Sequence, residues 1–184
     1  MKLVGLAGRA RSGKDTVGEY MVDRYHMVRY AFADPIRDAL MAAFILPPDV
    51  FDGAYKEKPI PWLGASPRRL MQTLGTEWGR DLVCQDVWIR CADRMWQHIK
   101  DTQEKTFNLL PSGMVITDVR FNDEADWIRS QGGKVVHIQR DGATQVEAHK
   151  SEAGVDVKES DTMLFNNGTL QDLHRAVESL MPYL

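Results

Sequence analysis

The chain has 184 residues, 43% of them hydrophobic, with 23 basic and 26 acidic side chains for a formal charge of −3. That length suits one domain, or one with a small insertion, and the apolar share is enough for a full core. A near-balanced charge with no basic tail or stripe argues against nucleic acid as the main partner, and no apolar run reaches the roughly 18 residues of a membrane span. The first segment, Leu3-Val4-Gly5-Leu6-Ala7, reads as a buried strand and not as a signal peptide, so a cytoplasmic location is expected.

This strand runs into Gly8-Arg9-Ala10-Arg11-Ser12-Gly13-Lys14-Asp15-Thr16, and an amphipathic helix with Val17, Tyr20, Met21 and Tyr25 begins at Lys14. Strand, glycine-rich turn and helix in that order give G-x-x-x-x-G-K its meaning as a phosphate-binding loop. Successive backbone N–H groups form an anion cradle, and the helix N-terminus adds about half a positive charge behind it. Lys14 would reach the β- and γ-phosphates of a nucleoside triphosphate. The residue after the lysine is usually Ser or Thr, whose hydroxyl ligates Mg²⁺; here Asp15 stands there and Thr16 follows. Asp15 would either hold the cation, directly or through its water shell, or merely complement the helix dipole.

The rest of the chain alternates strand and helix. A second strand, Val28 to Ala33, ends at Asp34-Pro35, read as an N-cap followed by proline at the first helical position, and that helix stops at Pro47-Pro48. Residues 47–65 hold four prolines and two glycines, too long a loop for mere connection. Ser66-Pro67 starts another helix, and a longer one is expected from about Gln85 to Glu104. Cys84, Trp88, Cys91, Met95 and Ile99 fall on one face there, which reads as core rather than as a metal site or disulfide. Trp62 and Trp78 could stack on a base, but core is the expected place for each. Then come strand Met114–Asp118, helix 122–131 closed by Gly132-Gly133, and strand Lys134–Gln139. A polar stretch over 141–160 leads to a short strand Met163–Phe165 and a turn at Asn166-Asn167-Gly168. The final helix, Thr169–Met181, buries Leu170, Leu173, Val177 and Leu180 and opens on a Thr169/Asp172 capping box. Strands separated by helices imply a parallel sheet covered on both faces.

Ligands in such folds gather at the carboxyl ends of the strands, where Arg11, Arg37, Arg120 and Arg140 recur. Arginine forks suit phosphate oxygens. Arg68 and Arg69 fall in a first helical turn, where the dipole disfavours cations unless an anion binds there too. That anion would belong to a second substrate. Asp118, at a strand end, would hold Mg²⁺ or its waters, or cap the next helix.

Ser12-Gly13-Lys14-Asp15-Thr16, Phe32-Ala33-Asp34-Pro35, Arg69-Leu70-Met71-Gln72-Thr73-Leu74-Gly75-Thr76-Glu77, Thr117-Asp118-Val119-Arg120-Phe121 and Asn167-Gly168-Thr169-Leu170 occur in this order. Together they resemble a phage-type deoxynucleoside monophosphate kinase, from residue 1 to about residue 175. The resemblance implies a three-layer α/β/α P-loop kinase over residues 1–184, with a central parallel sheet of about five strands. It implies a monophosphate-binding insertion over about 36–105 and a lid over about 141–160. The implied reaction moves the γ-phosphoryl group of ATP, with Mg²⁺, to a deoxynucleoside monophosphate, giving the diphosphate and ADP. Gly8, Arg11, Ser12, Gly13, Lys14, Asp15 and Thr16 would contact ATP, and Asp34, Ile36, Arg37, Arg68, Gln72 and Arg120 the acceptor. Lys14, Arg120 and Arg140 would stabilise the transferring group, with Asp15 and Asp118 at the metal. In the lid, His149, Lys150 and Glu152 are candidates without an assigned role.

The implied partners are nucleotides alone, with no stable nucleic acid and no membrane, for a monomer or homodimer in the cytoplasm (the host's, if phage-encoded). The acceptor would be mostly dianionic at pH 7, so no general base is required. Two alternatives stand beside this reading. A kinase of dephospho-coenzyme A would have a hydroxyl acceptor and give Asp34 a catalytic role. A nucleotide-gated regulatory ATPase would hydrolyse ATP without an acceptor.

Overall fold

The computed structural model describes residues 1–105, 111–142 and 154–184. Five strands, β1 (Lys2–Ala7), β2 (Val28–Tyr30), β3 (Gly113–Val119), β4 (Lys134–Gln139) and β5 (Thr162–Phe165), form one sheet in the order β2-β3-β1-β4-β5. Every neighbouring pair is parallel. The α-helices among the described residues are α1 (Lys14–Tyr25), α2 (Asp34–Phe44), α3 (Pro67–Gln72), α4 (Val87–Lys105), α5 (Asn122–Ser130) and α6 (Leu170–Leu180). The chain forms two compact units, Met1–Ala31 with Arg94–Leu184, and Phe32–Asp93.

The first unit holds the sheet. Its strands are near-continuous apolar runs because both faces are covered. Val4 and Leu6 of β1, Val136 and Ile138 of β4, and Leu164 of β5 pack with Val17 and Met21 of α1 and Leu173 and Val177 of α6. Each such side chain contributes about 1.5–3 kcal/mol on burial. The alternate positions face α5, which comes so close that a Cβ on Gly5 would stand 2.4 Å from Ile128 Cδ1. Gly18 does the same for α1, where a Cβ would meet Thr117 Cγ2 of β3 at 2.5 Å. β1 is therefore central, flanked by β3 and β4, and the loop after it leaves the sheet where strand order reverses. Tyr20 is only half-buried: its hydroxyl donates to Glu178 of α6 at 2.6 Å and its ring stacks on His174. The Thr169/Asp172 capping box is present, but Leu170, the first residue of α6, is 57% exposed where Leu173 and Val177 are buried.

In the second unit, β2 has already ended and Phe32-Ala33 turns into α2. Ala33 has right-handed backbone angles (φ −79°, ψ −14°) and is the N-cap, without a side-chain bond. Asp34 is thus not the cap but a first-turn acid. Ser66 does cap α3, its Oγ accepting from Arg69 N–H at 3.3 Å. Past Gln72 the helix does not stop; Thr73–Val83 continues as a wider π-helix, closed by Cys84 N–H on the Gly79 carbonyl at 3.0 Å. Two buried glycines shape it. A Cβ on Gly79 would lie 2.6 Å from the Trp88 ring, and the Trp88 indole N–H donates to the Gly75 carbonyl at 2.7 Å. Trp62 and Trp78, expected in the core, are 66% and 48% exposed. Trp78 is displaced outward by the glycines that bring the helix wall against Trp88.

The chain passes from one unit to the other within α4. Among its described side chains the buried ones are Trp88, Ile89, Ala92, Trp96 and Ile99. Cys84 precedes the helix, and Met95 is 37% exposed, so the expected Cys84-to-Ile99 stripe is rotated by about one residue. Both thiols are free.

Candidate active site

The loop between β1 and α1 is a close-fitting cradle. Gly8 and Gly13 have φ of 148° and 106°, values that side chains rarely adopt. A Cβ on Gly8 would meet the Ile138 carbonyl oxygen at 2.4 Å, and one on Gly13 would meet Asn166 Nδ2 at 2.4 Å. Arg11 is left-handed too, at φ 62°, which places strain on a non-glycine residue in the loop. Ser12 N–H donates to the Arg9 carbonyl at 3.2 Å, and Ser12 itself is buried, its hydroxyl turned toward Gly8. Gly13 caps α1 with no side chain to offer, so the first amides of the helix are available to an anion. Lys14 Nζ donates to the carbonyls of Gly8 (2.7 Å) and Arg9 (2.8 Å), which holds the ammonium over the loop. Asp15 is exposed and Thr16 half-buried in the first turn.

The neighbouring strand ends bring the other candidates of this unit to the same edge of the sheet. Asp118 lies in β3 beside β1, and Arg120 follows on an exposed turn. Glu124 supplies the capping-box acid of α5. The buried Glu124 carboxylate accepts from the backbone N–H of Arg120 (2.9 Å) and Phe121 (3.1 Å), fixing the turn that carries Arg120. Arg140 is exposed just past β4, on the other side of β1. Most of the expected lid, with His149, Lys150 and Glu152, lies outside the described residues.

The second unit carries Asp34, Ile36, Arg37, Arg68 and Gln72. Ile36 is buried, its Cδ1 against Gly75. Gln72 ends α3, half-buried. Arg37 and Arg68 share a neighbour, the segment between α2 and α3. Asp52 Oδ1 lies 3.9 Å from Arg37, and Glu57 Oε1 accepts from Arg68 Nε at 2.6 Å. Arg69 instead has an exposed side chain.

Among the described residues no three His, Cys, Asp or Glu side chains gather as a ready metal cage. Mg²⁺ does not need one, because it keeps several waters and takes one or two carboxylates plus phosphate oxygens. Asp15, the Thr16 hydroxyl and Asp118 are all hard oxygen donors of that kind, so the residues present fit the ion.

A family model described as deoxynucleotide monophosphate kinase matches residues 2–48 and 61–177. The chain belongs to the deoxynucleotide monophosphate kinase family. It is 31% identical to a protein of Acanthamoeba polyphaga mimivirus assigned that activity, over 97% of this chain and 95% of the relative. It is 26% identical to the deoxynucleotide monophosphate kinase of Enterobacteria phage T4, over the full length of both. Among solved structures it resembles a sugar kinase from Janibacter sp. (TM-score 0.52, 13% identity, 98% of this chain and 93% of that one). It also resembles the dephospho-CoA kinase of Campylobacter jejuni (TM-score 0.50, 11% identity, 99% and 96%). At such identities the likeness shows the P-loop kinase fold and nothing of the acceptor. The protein is a kinase with ATP as donor and a deoxynucleoside monophosphate as acceptor.

The family model passes over residues 49–60, the segment that supplies Asp52 and Glu57. Those two carboxylates in the second unit, and Glu124 and Asn166 in the first, are contacts that sequence reasoning missed. Glu124 left a signal, standing three residues after the N-cap of α5 as a capping-box acid does. The others make contacts that no local pattern announces.

Proposed function

We propose that this kinase binds ATP, with Mg²⁺, on the loop Gly8–Thr16 and takes the acceptor's phosphate on Arg37 and Arg68. The cradle geometry carries the donor half: backbone conformations and close approaches that only glycine satisfies, with the Lys14 ammonium held across the loop. For the acceptor half the support is that Arg37 and Arg68 already face carboxylates, groups with the charge and planarity an arginine fork also finds in a phosphate.

An acceptor phosphate oxygen attacks Pγ, the bond from Pγ to the β-phosphate bridging oxygen breaks, and ADP leaves. The acceptor is already a dianion, so no base has to remove a proton. What the chain supplies is position and positive charge. Lys14 serves the β- and γ-phosphates, and Arg120 and Arg140 the charge that spreads over the transferring group. Mg²⁺, held by Asp15 and Asp118, would supply further neutralisation of the phosphate oxygens. We place the reaction in the cytoplasm, by a monomer or homodimer acting on free nucleotides; no described helix is long and apolar enough to cross a membrane.

The test is a panel of deoxynucleoside and ribonucleoside monophosphates with ATP and Mg²⁺, read as ADP formed, on wild type, Arg68→Ala and Arg69→Ala. A lost charge-assisted bond is worth about 1.5–3 kcal/mol, so Arg68→Ala raises the acceptor KM at least about tenfold. The ATP KM moves by less than about threefold, since the loss is local. Arg69→Ala leaves both nearly unchanged. Equal damage from the two variants, or damage confined to ATP, puts the acceptor elsewhere.

A further inference from the structure

Two adjacent side chains at the end of β5 hold both the phosphate loop and the strand end that carries Arg140. Asn166 Nδ2 donates to the Ser12 carbonyl at 2.8 Å, across 154 positions of sequence. Its own N–H donates to the Gln139 carbonyl at 2.8 Å, and its amide group fills the space a Gly13 side chain would need. Asn167 makes a two-point clamp on the residue after Arg140: Oδ1 accepts from Asp141 N–H and Nδ2 donates to Asp141 Oδ2, each at 2.8 Å. Asparagine is common in turns because it bonds its own backbone two residues on. Here both side-chain amides reach other segments instead.

We propose that Asn166 and Asn167 are positioning residues of the transfer reaction, Asn166 orienting the Ser12–Gly13 peptide for the donor's phosphates and Asn167 setting Arg140. The first half follows from peptide geometry. The Ser12 carbonyl and the Gly13 N–H belong to one planar trans unit and point in opposite directions. Pinning the carbonyl to Asn166 turns the Gly13 N–H away from Asn166 and holds it there. A cradle made of amide dipoles acts only if those dipoles are already aimed when charge arrives. The second half concerns reach. Arg140 is exposed, and the clamp at Asp141 fixes the backbone from which its long side chain extends. Because the two asparagines are consecutive, loop and arginine are referred to the same point of the sheet.

The proposal rests on the reading that this loop takes ATP, so the first measurement is binding of ATP alone, without acceptor, by titration calorimetry. If wild type does not bind ATP, that reading fails; if wild type and variants bind equally, this proposal fails. Asn166→Asp keeps the shape but puts a second acceptor against the Ser12 carbonyl, and it weakens ATP binding by about tenfold or more. Asn166→Ser, which keeps a shorter donor, falls between and serves if the aspartate variant does not fold. In turnover, Asn166→Asp raises the ATP KM by a similar factor with the acceptor KM within about twofold. Asn167→Ala instead lowers kcat about tenfold with both KM values within about threefold, because Arg140 acts on charge developed during transfer. Lower melting temperatures with KM and kcat all within twofold of wild type would make the pair a turn and nothing more.

Discussion

Lys14 has three ammonium protons and spends two of them on exposed carbonyls of its own loop, at Gly8 and Arg9. Those two bonds stay within the loop and anchor no other element, so losing them costs little stability. Its charge is another matter, since in the proposed reaction Lys14 serves the β- and γ-phosphates. Lys14→Ala therefore lowers the rate of ADP formation by at least about 10²-fold, by analogy with loss of one charge-stabilising donor, while the melting temperature stays close to wild type. Asp15 separates two roles in one assay. As a magnesium holder, Asp15→Asn raises the Mg²⁺ concentration needed for half the maximal rate; as a dipole partner it leaves that concentration unchanged. These residues could be read from the sequence because a phosphate cradle is built from nine consecutive positions. Asn166 could not, because its partner is 154 positions away and asparagine in a turn already has a local explanation.

At the scale of elements, strands and long helices were legible and their edges were not. β2 was expected to reach Ala33, but Ala33 already has helical angles, so α2 starts without the asparagine- or aspartate-type cap its sequence suggests. The π-helix at Thr73–Val83 was unreadable for a clear reason: Leu74, Trp78 and Leu82 sit four apart, as in an α-helix, and nothing in that spacing reports bonds to the fifth residue back. The segment 47–65 is too long for mere connection, and the structure puts two small 3₁₀ turns there, Pro48–Phe51 and Tyr55–Glu57, with Phe51 buried as their anchor. Its carboxylates stand on the arginines proposed for the acceptor, so an incoming phosphate must exchange with them. Glu57 is about half exposed in its pair with Arg68, and solvent-screened pairs are weak, so the competition is mild. Glu57→Gln lowers the acceptor KM by about two- to fourfold and leaves the ATP KM alone. A higher acceptor KM in that variant would mean Glu57 holds Arg68 in place rather than competing for it.

For the molecule as a whole, alternation of strands and helices predicts a parallel sheet, but not which strand is central. That depends on where crossovers go, and here the clues are close approaches such as Gly5 against Ile128 and Gly18 against Thr117. The stretch after residue 154 is secured to the sheet by charge that no periodicity revealed. The fully buried Asp161 carboxylate accepts from Arg129 Nε (2.9 Å) and Nη2 (2.6 Å), from the Lys158 N–H (2.9 Å), and from His137 Nε2 of β4 (3.0 Å). Arg129 also pairs with Asp126, which Lys158 reaches too, and Asn122 bonds Asp156. Burial alone would push the Asp161 carboxyl up; the Arg129 guanidinium, the Lys158 N–H and His137 outweigh it and hold the group well below the usual carboxylate range. A carboxyl depressed on folding adds stability that is fully present above its unfolded value, near 4, and is lost as pH falls through its folded value. Asp161→Asn keeps the shape, removes the charge and leaves Arg129 short of its main partner. At pH 7 it costs roughly 3 kcal/mol, as breaking a buried ion pair does, or about 6–12 °C in Tm for a chain of this size. The difference from wild type then narrows as pH drops below about 4, because the unfolded wild-type chain takes up a proton there that the folded Asp161 does not. Thermal melts of both proteins between pH 7 and pH 3 measure it, and a gap that stays constant across that range would mean the Asp161 charge contributes nothing to holding the chain on its sheet.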